Sequence, residues 1–501
     1  MPLPSGILSL FTLPLGRLVL RSVLAEPFVP ANRPQKKTLP PPSPPSPPPP
    51  APPTATTDTA AAVDNVEDEE DEDEDESVDS FFSRRFGDAF ARTLGSALVH
   101  GIYAADSRQL SLRAAFPQLR ASETRGKGSV IWGELGPPAW FATNTNTNTN
   151  TTESQQEVEA VGVEWETRLR RTAALFSFRE GMETLVRGLV EALHGFPNVV
   201  LRSGTAVRGI GMIDTAGGGG GDDGDDHCSF RIYLNAEDGK GEGVPLRATH
   251  LISALPLPVL DSILQQPPAG GAEAAAGAST THPSLPHLRT NPHSSVTVLN
   301  LVFPTSPPNK NDNSTGEQPT PASTPLHPPG FGYLIPRPEH GYPEPGREGE
   351  HEHEHEGEPG LGLLGVVFDT ASLPEQDHDG ENDAAGFTKM TAMLGGPYPC
   401  PNARDSSSSD AQLVAAVVRR ISSQLGHALP PPVHYAVHRN AESIPTYLVG
   451  HTARMGQLGR ALRERWSGRM KVVGAGVGGV SVADCVKAGR QAAFEVADIM
   501  V

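Results

Sequence analysis

Hydrophobic and polar positions follow two different periods along this chain, and together they predict both helices and strands. Five apolar side chains recur at helical spacing near the start of the patterned region: Phe82, Phe86, Phe90, Leu94 and Leu98. A clean amphipathic helix is predicted over 411–425. Short apolar runs rich in β-branched residues predict strands of an antiparallel sheet: 295–303, 330–337, 361–369, 387–396 and 433–438. The pattern therefore predicts a mixed α/β (α+β) fold.

Local signals also predict where several elements begin and end. Ser80 is a candidate N-cap for the first helix, and Pro117 is expected to end a second short helix that starts near Ser107. Two short strands are predicted on either side of Gly204. Residues 250–256 are predicted to form a buried strand that runs into a proline-rich turn.

The last thirty residues contain the strongest functional pattern. A short buried strand at 470–473 is followed by a glycine cluster and by a helix from about Ala483; the glycines are Gly474, Gly476, Gly478 and Gly479. A strand, a glycine turn and a helix bring backbone N–H groups close to an anion or to the edge of a polar ring. The spacing Gly-x-Gly-x-x-Gly resembles a dinucleotide fingerprint, but no second strand follows the helix. The turn is therefore predicted to complete a nucleotide site, with a tight turn that binds nothing as the alternative.

Composition and charge narrow the classes of function. The 501 residues include 52 glycines and 50 prolines, only 37% are hydrophobic, and the net charge is −19. More than half of that charge comes from an unbroken acidic run at 67–76, which is typical of a solvated linker. No basic stripe with interleaved aromatic residues occurs, which argues against nucleic acid as a partner. Three widely spaced cysteines argue against a disulfide framework and against zinc.

Several segments have the composition of insertions that do not pack. A polyproline tract joins the acidic run within 31–80, and a Thr/Asn repeat occupies 143–160. His351, His353 and His355 alternate with glutamates, a pattern that either binds a metal loosely or belongs to a solvated insert. The flanking glycines and prolines favour the insert, so no metal site is predicted.

Eight segments taken in order resemble one family, the oxygen-dependent protoporphyrinogen oxidases, which are flavoenzymes of haem synthesis within the amine-oxidase-like FAD superfamily. The segments are RRFGDAFARTL with GIYAADSRQLSLRAAFPQL, FSFREGMETL with TAV at 205–207, THLISALPLPVL, SVTVLNLVF, GFGYLIP, LLGVVFDTASLPEQD with TAMLGG, SIPTYLVGH, and the C-terminal GVSVADCVKAGRQAA. Glu180 and Ala483 depart from the family pattern, which usually has glycine and asparagine there.

The resemblance implies FAD as cofactor, a porphyrinogen as substrate and oxygen as acceptor. By resemblance, Val207 contacts the adenine end of FAD through its backbone, and Val480, Ser481 and Val482 place backbone groups near the flavin ring, beside Gly474, Gly476 and Gly479. The tetrapyrrole pocket is implied to be lined by Phe331, Gly332, Leu334 and Met393. The flavin would take hydride from the porphyrinogen and pass the electrons to oxygen, giving peroxide. The sequence singles out no side chain as acid or base.

The same resemblance implies the organisation of the chain and its location. It divides the chain into seven segments. The first four are an internal apolar helical segment (1–30), a disordered Pro-rich and acidic insertion (31–80), a helical membrane-binding module (81–142) and a disordered Thr/Asn repeat (143–160). The last three are a partial Rossmann-like FAD-binding region (161–264), an antiparallel substrate domain with disordered inserts (265–440) and a C-terminal FAD-binding segment (441–501). It implies peripheral association with the mitochondrial inner membrane and leaves a homodimer open.

Two alternatives to this assignment remain open, and one departure from the family pattern supports the second of them. The family begins with a strand and a GxGxxG turn that bind the FAD pyrophosphate, and no such unit stands near Met1. Weak FAD binding is therefore expected. The alternatives are another FAD-dependent oxidoreductase of the same superfamily and a catalytically inactive relative that serves as an interaction scaffold.

Overall fold

The computed structural model describes residues 14–30, 75–135, 177–212, 230–235, 245–265, 285–304, 326–343, 361–373, 387–398 and 409–500. The helices in these ranges are α1 Pro14–Ala25, α2 Val78–Phe86, α3 Asp88–Phe90, α4 Ser96–Tyr103, α5 Leu112–Ala115, α6 Pro117–Arg125, α7 Val130–Leu135, α8 Glu183–His194, α9 Leu257–Gln265, α10 Asp369–Ser372, α11 Asp410–Leu425, α12 His451–Trp466 and α13 Val482–Met500. The strands are β1 Val207–Met212, β2 Phe230–Leu234, β3 Leu246–Ala248, β4 Leu251–Ser253, β5 His293–Pro304, β6 Gly332–Leu334, β7 Leu363–Val367, β8 Phe387–Gly395, β9 His434–Pro445 and β10 Met470–Val472. The predicted mixture of helices and sheets is confirmed.

A five-stranded antiparallel sheet with the order β6-β7-β8-β5-β9 forms the centre of one region. Alternate side chains of its strands point to one face, where they pack against α11 in a core that includes Leu299, Leu301, Phe303, Val417 and Ile421. The antiparallel strands predicted from the sequence are therefore confirmed. Strand β9 continues to Pro445, beyond the predicted end at His438.

A helical module is formed by residues 14–30 and 75–135, whose aromatic side chains pack in one cluster around Phe81 and Tyr103. A short 3₁₀ turn after α1 places Glu26 in its centre, where it forms an ion pair with Arg85 at 2.5 Å with both side chains fully buried. Glu26 also accepts hydrogen bonds from the Ser129 hydroxyl and from the first N–H groups of α7. The ion pair therefore joins three parts of the module.

Two smaller sheets bring the C-terminal segment against the middle of the chain. Strands β1, β2 and β3 form an antiparallel sheet, and β10 pairs with β4 in parallel. Helices α9 and α12 cover these strands through Leu260, Leu458 and Trp466, which belong to one buried cluster with Met470 of β10. This arrangement fixes the direction in which the glycine turn leaves β10.

The predicted boundaries in the helical module were wrong at two places. Helix α2 begins at Val78, so its N-cap is Ser77, which accepts a hydrogen bond from the Ser80 N–H, and not Ser80. Pro117 begins α6 instead of ending the helix before it. Proline suits the first position of a helix because it lacks only an N–H that would have no intrahelical partner.

Three other predictions differ from the structure. Residues 199–206 contain no strand, and the chain enters regular pairing only at Val207, next to β2. The predicted buried strand at 250–256 is reduced to β4, where Ile252 is 44% exposed and only Ser253 is buried. The predicted insertion at 31–80 also ends too late, because Asp75 and Glu76 hydrogen bond to Ser111, Gly450 and Arg84.

The remaining parts of the predicted insertions, including the polyproline tract, the Thr/Asn repeat and the His/Glu segment, lie outside the described residues. Among the residues that are described, no helix combines the length and the apolar character needed to cross a bilayer.

Candidate flavin and substrate site

The glycine turn lies at the carboxyl ends of two parallel strands. Ser253 of β4 is paired with Val472 of β10, and the turn leaves β10 directly after this pair. Gly479 has a φ of +144°, and a Cβ there would lie 2.5 Å from Cβ of Asp484, so only glycine fits. The crevice outside the carboxyl ends of parallel strands is where open α/β sheets bind nucleotides. The predicted strand, turn and helix are all present.

The start of α13 is capped by its own side chains, which changes the prediction for Ser481. Asp484 accepts hydrogen bonds from the Ser481 N–H and hydroxyl, and the Ser481 hydroxyl accepts one from the Asp484 N–H. The Ser481 N–H therefore has an internal partner. The first turn of a helix leaves its next N–H groups without intrahelical partners, so Val482, which is 51% exposed, remains a candidate donor. The Val480 side chain packs against the helical module.

Three side chains from outside the turn hold it in place. The buried Tyr447 hydroxyl donates a hydrogen bond to the Ala475 carbonyl and accepts one from the Gly479 N–H at 2.9 Å. His451 stacks on the Tyr447 ring with centroids 4.1 Å apart, and its Nε2 lies 2.8 Å from the Val477 carbonyl. We call Tyr447, His451 and Asn291, which contacts His451 Nδ1 at 2.9 Å, the brace.

The contacts of the brace determine the protonation of His451. A carbonyl can only accept, so Nε2 carries the proton that it donates to Val477. The Nδ1 atom then accepts from the Asn291 amide, and the ring is neutral. Burial agrees with this assignment because it lowers the pKa of His451. Burial also raises the pKa of Tyr447, which keeps the hydroxyl protonated as a donor.

Val207 lies at the start of β1 and belongs to the cluster of apolar side chains that contains Val472 and Val477. The Ala206 carbonyl next to it accepts a hydrogen bond from the Asn235 N–H. Val207 therefore shares a large apolar cluster with the strand and the turn of the C-terminal segment. Its contact with the adenine end of FAD remains a prediction.

Two of the predicted substrate residues lie in one row across the central sheet. Directly paired residues run from Leu334 through Gly365, Met393 and Val298 to His438, and paired residues share a face. Gly332 lies two residues before Leu334 on the same strand, so it belongs to this face as well. Gly365 has no side chain, and Leu334 lies over it. We call this set of five paired residues the substrate row.

Phe331 is set apart from the other predicted substrate residues. It precedes β6, its ring is 56% exposed, and its carbonyl accepts hydrogen bonds from the Phe368 N–H and the Ser372 hydroxyl. Tyr333, two residues later, packs against the core on the α11 side of the sheet. Sequence reasoning did not identify Gly365, Val298 or His438, because only strand pairing places them in the same row as Met393.

Helix α4 connects the substrate row with the glycine turn. Gly101 faces Leu334, and Ala104, which follows the helix, packs in the cluster that includes Met393. Tyr103 contacts Tyr447 with ring centroids 6.4 Å apart. One helix therefore touches both predicted halves of the site.

A buried histidine on α4 also lies next to this face. His100 Nδ1 is 2.6 Å from the Ile335 carbonyl and Nε2 is 2.7 Å from the Tyr342 hydroxyl. The carbonyl requires a donor at Nδ1, so Nε2 accepts from Tyr342. Burial lowers the pKa of His100 and raises that of Tyr342, so both groups are neutral at physiological pH. These contacts fasten the segment after β6 to α4.

The whole arrangement agrees with comparisons to known proteins. The family described as flavin containing amine oxidoreductase matches residues 53–497. The chain belongs to this family. Membership implies FAD as the cofactor.

Curated relatives and a solved structure extend the comparison. Protoporphyrinogen oxidases from Bos taurus and Homo sapiens are each 27% identical to this chain, and the matches cover 84% of this chain and 69% of the relative. The enzyme of the same name from Schizosaccharomyces pombe is 22% identical over 85% of this chain and 69% of its own. A crystal structure from Exiguobacterium sp. 255-15, described as a candidate protoporphyrinogen oxidase, has a TM-score of 0.52 at 19% identity, covering 85% of this chain and 67% of that one. At this identity the structure supports the fold alone.

Proposed function

We propose that this protein oxidises protoporphyrinogen IX to protoporphyrin IX with FAD as cofactor and oxygen as the electron acceptor. The observation that carries the proposal is the match over 84–85% of the chain to relatives that share this activity in their names. The geometry supports it, because α4 packs on the Leu334 and Met393 part of the sheet face and contacts the brace of the glycine turn through Tyr103. A large flat substrate with much apolar surface suits such a face.

The residues at the turn fit a flavin nucleotide. No heavy atom lies within 4 Å of the position that a Cβ would take at Gly478, so the turn leaves room for a ligand. The buried Ser253 hydroxyl, at the end of β4, has no hydrogen-bond partner among the described residues. An unpaired buried hydroxyl is costly unless a ligand or water satisfies it. Ser253, Gly478 and Val482 are therefore the residues that would hold the cofactor here.

When bound, FAD accepts the hydrogens removed from the porphyrinogen and transfers the electrons to oxygen, which becomes hydrogen peroxide. The chain's own residues bind and orient. Leu334 and Met393 offer apolar surface in the substrate row, and the missing side chain of Gly365 makes room for Leu334, because a Cβ there would lie 2.8 Å from a methyl carbon of Leu334. Tyr342 and His100 hold the segment after β6 against α4 and keep Leu334 in place.

The test of the proposed function measures flavin binding and the reaction together. Purified protein supplied with FAD and protoporphyrinogen IX should show oxygen-dependent growth of porphyrin fluorescence, with none when FAD is omitted from flavin-free protein. A primary amine serves as the comparison substrate. Oxidation of the amine without oxidation of the porphyrinogen would move the assignment to another oxidoreductase of the family. Absence of FAD binding would favour the scaffold.

We also propose that the helical module binds the surface of a membrane, the mitochondrial inner membrane, without crossing it. Four apolar side chains are 58–85% exposed on elements that meet around Glu26, and we call them the apolar patch: Leu24, Phe28, Trp132 and Leu135. Exposed cationic side chains, Arg17 and Arg21, lie on α1 next to the patch. Apolar side chains beside basic ones are typical of surfaces that insert into an anionic bilayer interface.

Phe28→Ser is expected to weaken binding to vesicles that contain an anionic phospholipid. Burial of an apolar side chain of this size stabilises by roughly 1.5–3 kcal/mol, so the partition coefficient should fall about tenfold or more. Co-sedimentation with the vesicles measures it. Val433→Ser is the matched control, since Val433 is 59% exposed but lies beside β9, outside the helical module. Equal binding of the Phe28→Ser variant and the wild type would contradict the proposal.

A further inference from the structure

The brace controls which way the peptide groups of the glycine turn point. Tyr447 accepts the Gly479 N–H and binds the Ala475 carbonyl, and His451 binds the Val477 carbonyl. Both carbonyls are therefore directed at the buried rings of the brace. Tyr447 is 1% exposed and His451 is 2% exposed, so this side of the turn is the interior side.

The direction of these carbonyls fixes the direction of two N–H groups. In a trans peptide the C=O and the N–H of the following residue point in opposite directions. The Gly476 N–H follows the Ala475 carbonyl and the Gly478 N–H follows the Val477 carbonyl, so both N–H groups point away from the brace. In the part of the chain that the structure describes, neither N–H has a hydrogen-bond partner. The side of the turn opposite to the brace therefore presents two free donors.

We propose that Tyr447 and His451 are positioning residues for the flavin nucleotide. They hold two carbonyls of the turn inward, so that the N–H groups of Gly476 and Gly478 point outward at acceptor atoms of the cofactor. The inference rests on the proposed function, because it takes FAD as the ligand of this turn. It adds that the signature segment SIPTYLVGH acts on the cofactor through the turn and does not touch it.

The chemistry of the brace explains why these two residue types are needed. A phenol can donate and accept at once, so a single Tyr447 hydroxyl can bind both a carbonyl and an N–H of the same turn. A neutral imidazole donates from one nitrogen while it accepts at the other, so His451 joins the Val477 carbonyl to Asn291. Phenylalanine at either place would keep the stacked rings and lose only the polar contacts.

The experiment compares FAD affinity in Tyr447→Phe with that in Tyr103→Phe. The Tyr103 hydroxyl also donates to a carbonyl, that of Ala115, and the Tyr103 ring contacts Tyr447, but it does not bind the turn. Both variants lose a buried phenol hydroxyl, so both should lower the melting temperature of the flavin-free protein. Only Tyr447→Phe should weaken FAD binding, by about tenfold, measured by quenching of flavin fluorescence below the melting transition. The visible spectrum of the bound flavin should also shift in that variant alone.

The outcomes separate this role from the proposed function. Equal FAD affinity and an unchanged flavin spectrum in Tyr447→Phe and the wild type would overturn the positioning role while the proposed function stands. Wild-type protein that binds no FAD would overturn both. If Tyr447→Phe does not fold, His451→Phe decides in its place: it keeps a ring against Tyr447 and removes the donor to Val477. Weaker FAD binding in His451→Phe supports the role, and unchanged binding overturns it.

Discussion

Glu26→Gln is expected to lower the free energy of unfolding by about 3 kcal/mol, because it removes the carboxylate 2.5 Å from the buried Arg85 guanidinium and leaves Glu123, 3.8 Å from Arg85 Nε, as the remaining ionic partner. Both side chains are fully buried, so water cannot replace the lost carboxylate charge. The same substitution weakens the acceptor for the Ser129 hydroxyl and for the N–H groups of Val130 and Ile131. Denaturant unfolding followed by circular dichroism measures the difference.

Glu180→Gln provides the matched control for this prediction. Glu180 pairs with Arg187 at 2.9 Å, but the two side chains are 73% and 57% exposed. An exposed pair contributes less than about 1 kcal/mol, since water solvates both charges after it breaks. A loss of similar size in both variants would show that burial does not determine the strength of the Glu26 pair.

The effect of Glu26→Gln should also depend on pH in a defined direction. Burial alone would raise the pKa of Glu26, but hydrogen bonds from Ser129, Arg85 and the backbone lower it below its ordinary value. A carboxyl whose pKa is lower in the folded protein than in the unfolded chain stabilises the fold fully at pH values above its unfolded pKa. That contribution is lost as the pH falls through the folded value. The difference between wild type and variant should therefore be largest near neutral pH and shrink in acid.

Gly332→Ala is expected to destabilise the edge of the central sheet and to raise the KM for the porphyrinogen. Gly332 has a φ of +153°, and a Cβ there would lie 2.9 Å from Val367 Cα and closer still to the Val366 carbonyl oxygen. Both are backbone atoms of β7, so the clash is relieved only if β6 moves away from its partner. Backbone strain of about 1–3 kcal/mol and a similar cost of overpacking should add together.

Gly330→Ala separates the two contributions in Gly332→Ala. Gly330 has a φ of +144°, but no heavy atom lies within 4 Å of the position that a Cβ would take there, so only the backbone strain applies. Gly332→Ala should therefore lose roughly 1–3 kcal/mol more than Gly330→Ala. FAD affinity should be unchanged in both, because the glycine turn is a separate element. Equal losses of stability would contradict the clash of a Gly332 Cβ with β7, and an unchanged KM in Gly332→Ala would contradict the assignment of β6 to the substrate face.

The local patterns that predicted the fold correctly are those in which near neighbours decide the conformation. The alternation in β5 and the helical period in α11 require only that one face be apolar, and both elements formed close to their predicted bounds. Pro117 and Ser77 show the limit of such signals. A proline suits the start of a helix as well as the residues beyond its end, and serines recur at Ser77, Ser80 and Ser83, so the local sequence did not decide either boundary.

The sequence by itself determined that a strand, a glycine turn and a helix follow one another in the C-terminal segment. Glycine marks the turn because a Cβ at Gly479 would collide with Asp484 at the start of the helix. It did not determine what surrounds that turn. The pairing of β10 with β4, the Tyr447 and His451 brace, and the Glu26–Arg85 pair across 59 residues join positions that are distant in the chain. No local pattern encodes such contacts, since hydrogen-bond geometry and burial exist only after the elements have packed. Tertiary structure alone therefore decided how the glycine turn and the substrate row are placed relative to α4.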